Sequence, residues 1–331
     1  MSKGIGAAIA LVALLMTSSC APAPHLQYIK GDTMGTYYTI QYRSSNRIES
    51  DLLKGDIDSV LDEFESQLSN WRPDSWINRF NRSPAKRPIE TPEHAFETIA
   101  ICLDLAERTQ GTLDPTLSPL IELWGFGIDK GQGIPSDDSI EETLQIIGYQ
   151  QLELDRDQRS LSKKISEIEL NCSAVAKGYA VDLIAKRLQN EGIENYLINI
   201  GGEVSAKGSK LNESPWTVAI SQPQANGRDP LTARTIELRD RSLATSGHSQ
   251  RAFVIDGQRY SHILDPRTGR PVLPEFASAT VIAPSCALAD GLATLALILD
   301  PSEMRSLLDE FPQTEIIYLP WRIHDANAAL P

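Results

Sequence analysis

Asp290 and Thr294 stand four residues apart inside an otherwise apolar stretch, SCALADGLATLALILDP, at 285–301. Leu288, Leu292, Leu295, Ala296 and Leu299 recur there at spacings of three and four, the period of a buried helix. Residues four apart share one helix face, so a carboxylate and a hydroxyl lie on a single stripe. An unpaired charge in an apolar interior is costly. Asp290 therefore caps a helix starting there, pairs with a basic side chain, or holds a hard metal ion, and the pattern alone leaves all three open.

Four further stretches place polar residues in Gly-punctuated text: MGT at 34–36, GTLDPTLSPLIELWGFG at 111–127, SAVAKGYAVD at 173–182 and YSHILDPRTGRPV at 260–272. Singly each has an ordinary explanation. Asp-Pro and Thr-Gly set turn dihedrals, and the Gly of AKGYAVD permits close packing near a helix start. No GxGxxG follows a strand, and GxxxxGK[ST], HExxH and GxSxG are absent. The five histidines do not cluster at metal-ligand spacing.

The elements that must position these residues can be read as periods. Residues 36–42, TYYTIQY, alternate and are rich in β-branched and aromatic side chains, which predicts a strand. Leu52, Leu53, Ile57, Val60, Leu61, Phe64 and Leu68 mark a helix over 48–68. A second helix is predicted from an N-cap at Thr91, with Pro92 in first position, to a stop at Gly111. A Pro/Gly/Asp-rich linker, a short helix over 140–147 and two short strands lead to a helix carrying Val181, Ile184, Ala185 and Leu188, stopped by Gly192. YLINIGG, WTVAIS, TIELRD, RAFVID and ATVIAP are predicted strands. After the 285–301 helix comes a short one, capped by Asp300, with Pro301 first and Glu303 reaching back. The absence of a regular βαβ beat predicts an α+β class.

The 331 residues are 41% hydrophobic and 23% charged, enough for a full-sized soluble core. A formal net charge of -13, with no basic stripe to offset it, argues against nucleic acid as a partner. Lys3, the apolar run 5–16 and Cys20 in LLMTSSCAP resemble a bacterial lipoprotein signal. Residues 1–19 are then a signal peptide, too short to span a bilayer. Cys20 becomes the lipidated first residue, 20–30 a tether and 31–331 the folded domain. The location expected is the bacterial cell envelope, lipid-anchored and facing the periplasm, at the inner or outer membrane. Cys102, Cys172 and Cys286 remain, an odd number without CxxC spacing, so neither a disulfide framework nor a zinc cluster is expected.

In this order, and followed by ALADGLAT, the polar stretches closely resemble the ApbE family, the FAD:protein FMN transferases. SNWRPDSWINRFN, NIGGEVSAKG and SLATSGHSQR extend the resemblance from Met34 to about Leu299. It implies a single α+β domain of the T-fold-like kind. It also implies Mg²⁺ held by the Asp290 carboxylate, the Thr294 hydroxyl and the main-chain carbonyl of Ala174. A hard cation that keeps waters and phosphate oxygens needs few protein donors. FAD is the implied substrate, touched by Met34, Trp71, Thr112, Leu113, Asp114, Asn171, Lys177, Leu264 and Ala293. Asn171 stands where Asp is common in the family, and Lys177 is placed to meet phosphate or ribose. SGHSQR departs from the family's usual text after SG, so His248 receives no role.

The implied reaction is phosphoryl transfer, in which a Thr or Ser hydroxyl of an acceptor protein takes FMN from FAD and AMP leaves. His262, in the family's H-x-x-DP pattern, is the implied general base, since imidazole titrates near neutral pH. Two rivals share these residues: a Mg²⁺-dependent FAD diphosphatase giving FMN and AMP, and a non-catalytic FAD-binding lipoprotein. The implied acceptors are subunits of a sodium-translocating NADH:quinone reductase or an Rnf-type complex.

Overall fold

The computed structural model describes residues 25–44, 50–127, 133–222, 231–248, 252–255, 258–273 and 275–321. The signal peptide and Cys20 lie outside them. Strands β1 (His25–Thr33) and β2 (Thr36–Ser44) pair antiparallel, with Thr33 opposite Thr36. Met34 and Gly35 form the turn between them at φ 50° and 72°, the primed-turn geometry that matches hairpin twist. Tyr38, Ile40, Tyr42 and Ser44 point inward at the expected period of two. Residues 25–30, expected in the tether, are paired in β1 instead. That strand lies at the sheet edge and buries only Ile29 and Thr33, so its polar text hides it.

Helix α1 (Ser50–Leu68) buries Leu53, Ile57, Leu61, Phe64 and Leu68 on one stripe. Helix α2 (Trp76–Asn81), capped by Ser75, is too short for its period to be read. A two-residue β3 (Ile89–Glu90) precedes α3 (Glu93–Arg108). Thr91 does not cap α3. Pro92 takes the N-cap position in extended conformation, and the Thr91 hydroxyl donates to the Ile89 carbonyl at 3.2 Å. Helices α4 (Ser118–Leu123) and α5 (Asp137–Leu144) follow, then β4 (Leu152–Asp155) and β5 (Ser160–Lys163), which form a small sheet with β3. Ser136 caps α5, which therefore starts three residues before the expected position. Helix α6 (Ser173–Asn190) ends before Gly192, at φ 73°.

The remaining strands are β6 (Tyr196–Ile200), β7 (Glu203–Lys207), β8 (Trp216–Gln222), β9 (Leu231–Leu238) and β10 (Arg241–Gly247). Then come β11 (Ala252–Ile255), β12 (Gln258–Ser261), β13 (Leu264–Asp265), β14 (Arg270–Pro271) and β15 (Ser278–Ala283). Helices α7 (Cys286–Leu295) and α8 (Pro301–Leu308) and strand β16 (Glu315–Leu319) complete the order. The Asp300/Glu303 capping box at α8 forms as read.

Seven antiparallel strands make the main sheet, in the order β1-β2-β6-β7-β10-β15-β16. One face buries Ile40, Ile198 and Val281 beneath α1, α3, α6 and α7. The other buries Val204, Leu243 and Ile282 beneath Trp216, Ile220, Ile236 and Leu238 of the β8–β9 hairpin. Covered on both sides, β15 is buried throughout and reads as an unbroken apolar run. The architecture is the single α+β domain expected. Cys102, Cys172 and Cys286 are buried free thiols.

Candidate functional site

Helix α7 starts under borrowed acceptors. Ser285 Oγ accepts from the Leu288 amide, and the Asp182 carboxylate of α6 accepts from the Cys286 and Ala287 amides, both at 2.9 Å. These satisfy the orphan N–H groups of a helix start. Asp290 is therefore not the cap. It lies inside α7, 4% exposed, and makes no ion pair with a described residue. Its Oδ2 accepts from the Gly178 amide at 2.9 Å, while Oδ1 accepts from no described residue. Burial pushes the Asp290 carboxyl up to about 7, with the Lys177 ammonium opposing and Glu203 adding to the rise.

The Gly178 amide is the one that the helical ladder of α6 directs at the Ala174 carbonyl. Asp290 competes for it, and a carbonyl has two lone pairs, so Ala174 O keeps acceptor capacity. The helices approach this closely because residue 178 lacks a side chain; a Cβ there would lie 2.3 Å from the Cys286 carbonyl oxygen. Thr294, one turn beyond Asp290, lies with its hydroxyl 3.2 Å from Ser246 Oγ of β10. One carboxylate, one hydroxyl and one carbonyl are hard oxygen donors that suit a divalent cation with open positions. No group of three or more His, Cys, Asp or Glu side chains among the described residues is placed to hold a metal.

Around this face the expected flavin contacts divide. Lys177 Nζ donates to Oε1 of Glu203, which opens β7. The Asn171 amide donates to the Pro115 carbonyl at 2.7 Å, tying the 112–116 loop to the start of α6, and Asn171 Oδ1 accepts from the Ser173 amide. Asp114 is committed to its own loop: it accepts from the Thr116 amide and hydroxyl and from the Tyr149 amide. Thr112 and Leu113 are buried beside it, with Leu113 and Val175 flanking Gly291. The Met34 amide donates to Glu65 Oε1 at 2.9 Å, and Thr36 beyond that turn packs on Gly201. Trp71 is 59% exposed, next to Asn70, which donates to the Leu170 carbonyl. Ala293 and Leu264 are enclosed in the core and present almost no surface to a ligand.

His262 lies between β12 and β13, its ring edge-on to Phe126 at 6.4 Å between centroids. The turn after it is tightly braced: Asp265 pairs with Arg267, the Gly269 amide donates to the Asp265 carbonyl, and Trp124 Nε1 donates to the Gly269 carbonyl at 2.8 Å. His248, to which no role was given, is buried with Nδ1 2.8 Å from Ser261 Oγ, which in turn accepts from the Ile263 amide. Ser246 lies at the end of β10 and His248 directly follows its last residue, so this one stretch reaches both Thr294 and the residue before His262. Ser246, His248, Asp182 and Glu203 are the residues that sequence reasoning passed over. The i,i+4 spacing of Gly178 and Asp182 and the i,i+2 spacing of Ser246 and His248 were the signals available.

The sequence profile of the ApbE family matches residues 34–318, which include every residue of this site. The chain belongs to the ApbE family. It is 38% identical over 293 residues to a FAD:protein FMN transferase of Vibrio cholerae serotype O1, covering 88% of this chain and 86% of that one. It is 32% identical over 305 residues to a FAD:protein FMN transferase of Haemophilus influenzae, covering 90% and 88%. A solved structure of flavin transferase ApbE from Vibrio cholerae matches with a TM-score of 0.80 at 34% identity, covering 89% of this chain and 93% of that one. The ApbE resemblance read from the motifs thus holds over the whole fold.

Proposed function

We propose that this chain is a FAD:protein FMN transferase that moves FMN from FAD to a Ser or Thr hydroxyl of an acceptor protein. The observation that carries this reading is the Asp290–Thr294 face of α7, where buried Asp290 makes no ion pair with a described residue and Thr294 is connected through β10 to the turn that bears His262. In the balanced step the acceptor Oγ bonds to the FMN-side phosphorus of FAD. The bond from that phosphorus to the bridging oxygen breaks, AMP departs with that oxygen, and the hydroxyl proton passes to His262. Imidazole suits that task because it can take a proton at neutral pH. The positive end of α6, together with Lys177, favours the anionic diphosphate over neutral ligands. Asp290, Thr294 and the Ala174 carbonyl fit Mg²⁺, which when bound withdraws charge from the diphosphate.

The acceptors proposed are subunits of a sodium-translocating NADH:quinone reductase or an Rnf-type complex. The chain itself is proposed to be anchored at Cys20 and to face the periplasm. Incubating the purified chain with Mg²⁺ and FAD, with and without an acceptor domain, tests the activity by intact mass. One FMN phosphoester added to the acceptor supports transfer. Free FMN beside an unmodified acceptor makes the chain a diphosphatase, and unchanged FAD makes it a binding protein.

A further inference from the structure

We infer that Glu203 is a positioning residue for the cation site: it holds the Lys177 ammonium against β7 and so keeps it off Asp290. This rests on the reading of Asp290 as a metal ligand. Lys177 and Asp290 lie within each other's electrostatic reach across the α6–α7 crossing, yet Lys177 hydrogen-bonds Glu203 and not Asp290. Asp290 instead takes the amide of Gly178, the residue next to Lys177.

Glu203 is 1% exposed, and its Oε2 has no hydrogen-bond partner. A half-satisfied buried carboxylate is expensive. Among the described residues its side chain's one hydrogen-bond partner is Lys177. The backbone fixes its place: Gly201 and Gly202 turn at φ 60° and 118°, the Gly202 amide donates to Asn199 Oδ1, and β7 pairs with β6 and β10 on either side. Lys177 has a flexible four-carbon stem. Without Glu203 the remaining buried carboxylate that acts on it is Asp290, and an ammonium seated on that carboxylate would compete with a divalent cation for the same oxygens. Glu203 therefore answers one positive charge so that Asp290 can answer another.

The test reads metal binding directly. Mn²⁺, as a probe of the Mg²⁺ site, is added to the chain without FAD, so that the contact of Lys177 with the diphosphate plays no part, and bound ion is read from the loss of the free-ion paramagnetic resonance signal. Glu203→Gln is expected to weaken Mn²⁺ binding about 10- to 100-fold, the usual effect of losing a residue that supports a metal ligand. The double variant Glu203→Gln/Lys177→Met is expected to restore wild-type affinity, because Glu203 acts only through Lys177. Unchanged affinity in folded Glu203→Gln, or a loss that persists in the double variant, overturns the inference. Where circular dichroism finds Glu203→Gln unfolded, the double variant carries the test: a folded protein with wild-type affinity supports the inference, and a lasting loss overturns it. Asp290→Asn separates the premise: Mn²⁺ binding that survives it refutes the metal reading itself, whatever Glu203 does.

Discussion

His262 sits in a firmly built surround. Ser261 before it is tied to buried His248, Phe126 lies edge-on to its ring, and the braced Asp265–Gly269 turn follows. A residue held this way can act as a base without reorganising when the substrate arrives. His262→Ala is expected to slow FMN transfer about 10²- to 10⁴-fold, the usual worth of a general base, with FAD affinity nearly unchanged. The acid limb of the rate profile should vanish with it. Single-turnover rates at saturating FAD, across roughly pH 5 to 9, check this. An acid limb that survives the substitution would assign the proton to another group. Asp290 is the complementary case, since its side chain was noticed for being in the wrong place. The spacing to Thr294 was legible because both lie on one helix. The neighbours that complete the site were not, because Ser246, which meets Thr294, and Glu203, which holds Lys177, arrive from strands whose register no local pattern encodes.

The α6–α7 crossing is the element on which the site depends, and Gly178 is its closest point. A methyl group there would sit 2.3 Å from the Cys286 carbonyl oxygen and 2.8 Å from the Ala287 Cα, and neither is a side chain that can swing aside. Gly178→Ala should cost about 1–3 kcal/mol, as overpacking generally does, and lower transfer by shifting Asp290. Urea denaturation measures the first effect; a loss under about 0.5 kcal/mol would show that the helices part easily. Asp182 binds the same crossing from the other side. Burial raises its carboxyl to about 6, against the two amides that lower it. Since the folded value exceeds the unfolded one, its contribution to stability is full below about pH 4 and is lost as pH rises through about 6. The wild type should therefore lose up to about 3 kcal/mol relative to Asp182→Asn between these limits. Parallel stability curves for the two proteins would refute that. Elements with a long apolar period, such as α1 and α7, were readable in the sequence, as was the alternation of β2. Edge strand β1 and the six-residue α2 were not, since one shows little buried surface and the other less than two turns.

Across the whole molecule, the helical face of the sheet forms one core, and the loops that carry chemistry gather where β10, α6 and α7 meet. The proposed anchor at Cys20 is tested by detergent partitioning and intact mass of the mature chain. Acylated Cys20 is expected, and an unmodified, water-soluble product would make the chain simply secreted. Strand β1 then acquires a meaning beyond pairing. It enters at His25 and delivers the Met34 turn at its far end, nine residues and about 30 Å away. The stretch 20–24 ahead of it reaches at most about 17 Å when fully extended. With Cys20 acylated and flavin held at the Met34 turn, lipid and flavin would be joined by a leash of fixed maximum length, about 50 Å, most of it rigid. On that proposal, an acceptor hydroxyl standing farther than that from the bilayer would stay unmodified however well its sequence fits. A proposed membrane anchor would then, through one edge strand, help choose the substrate.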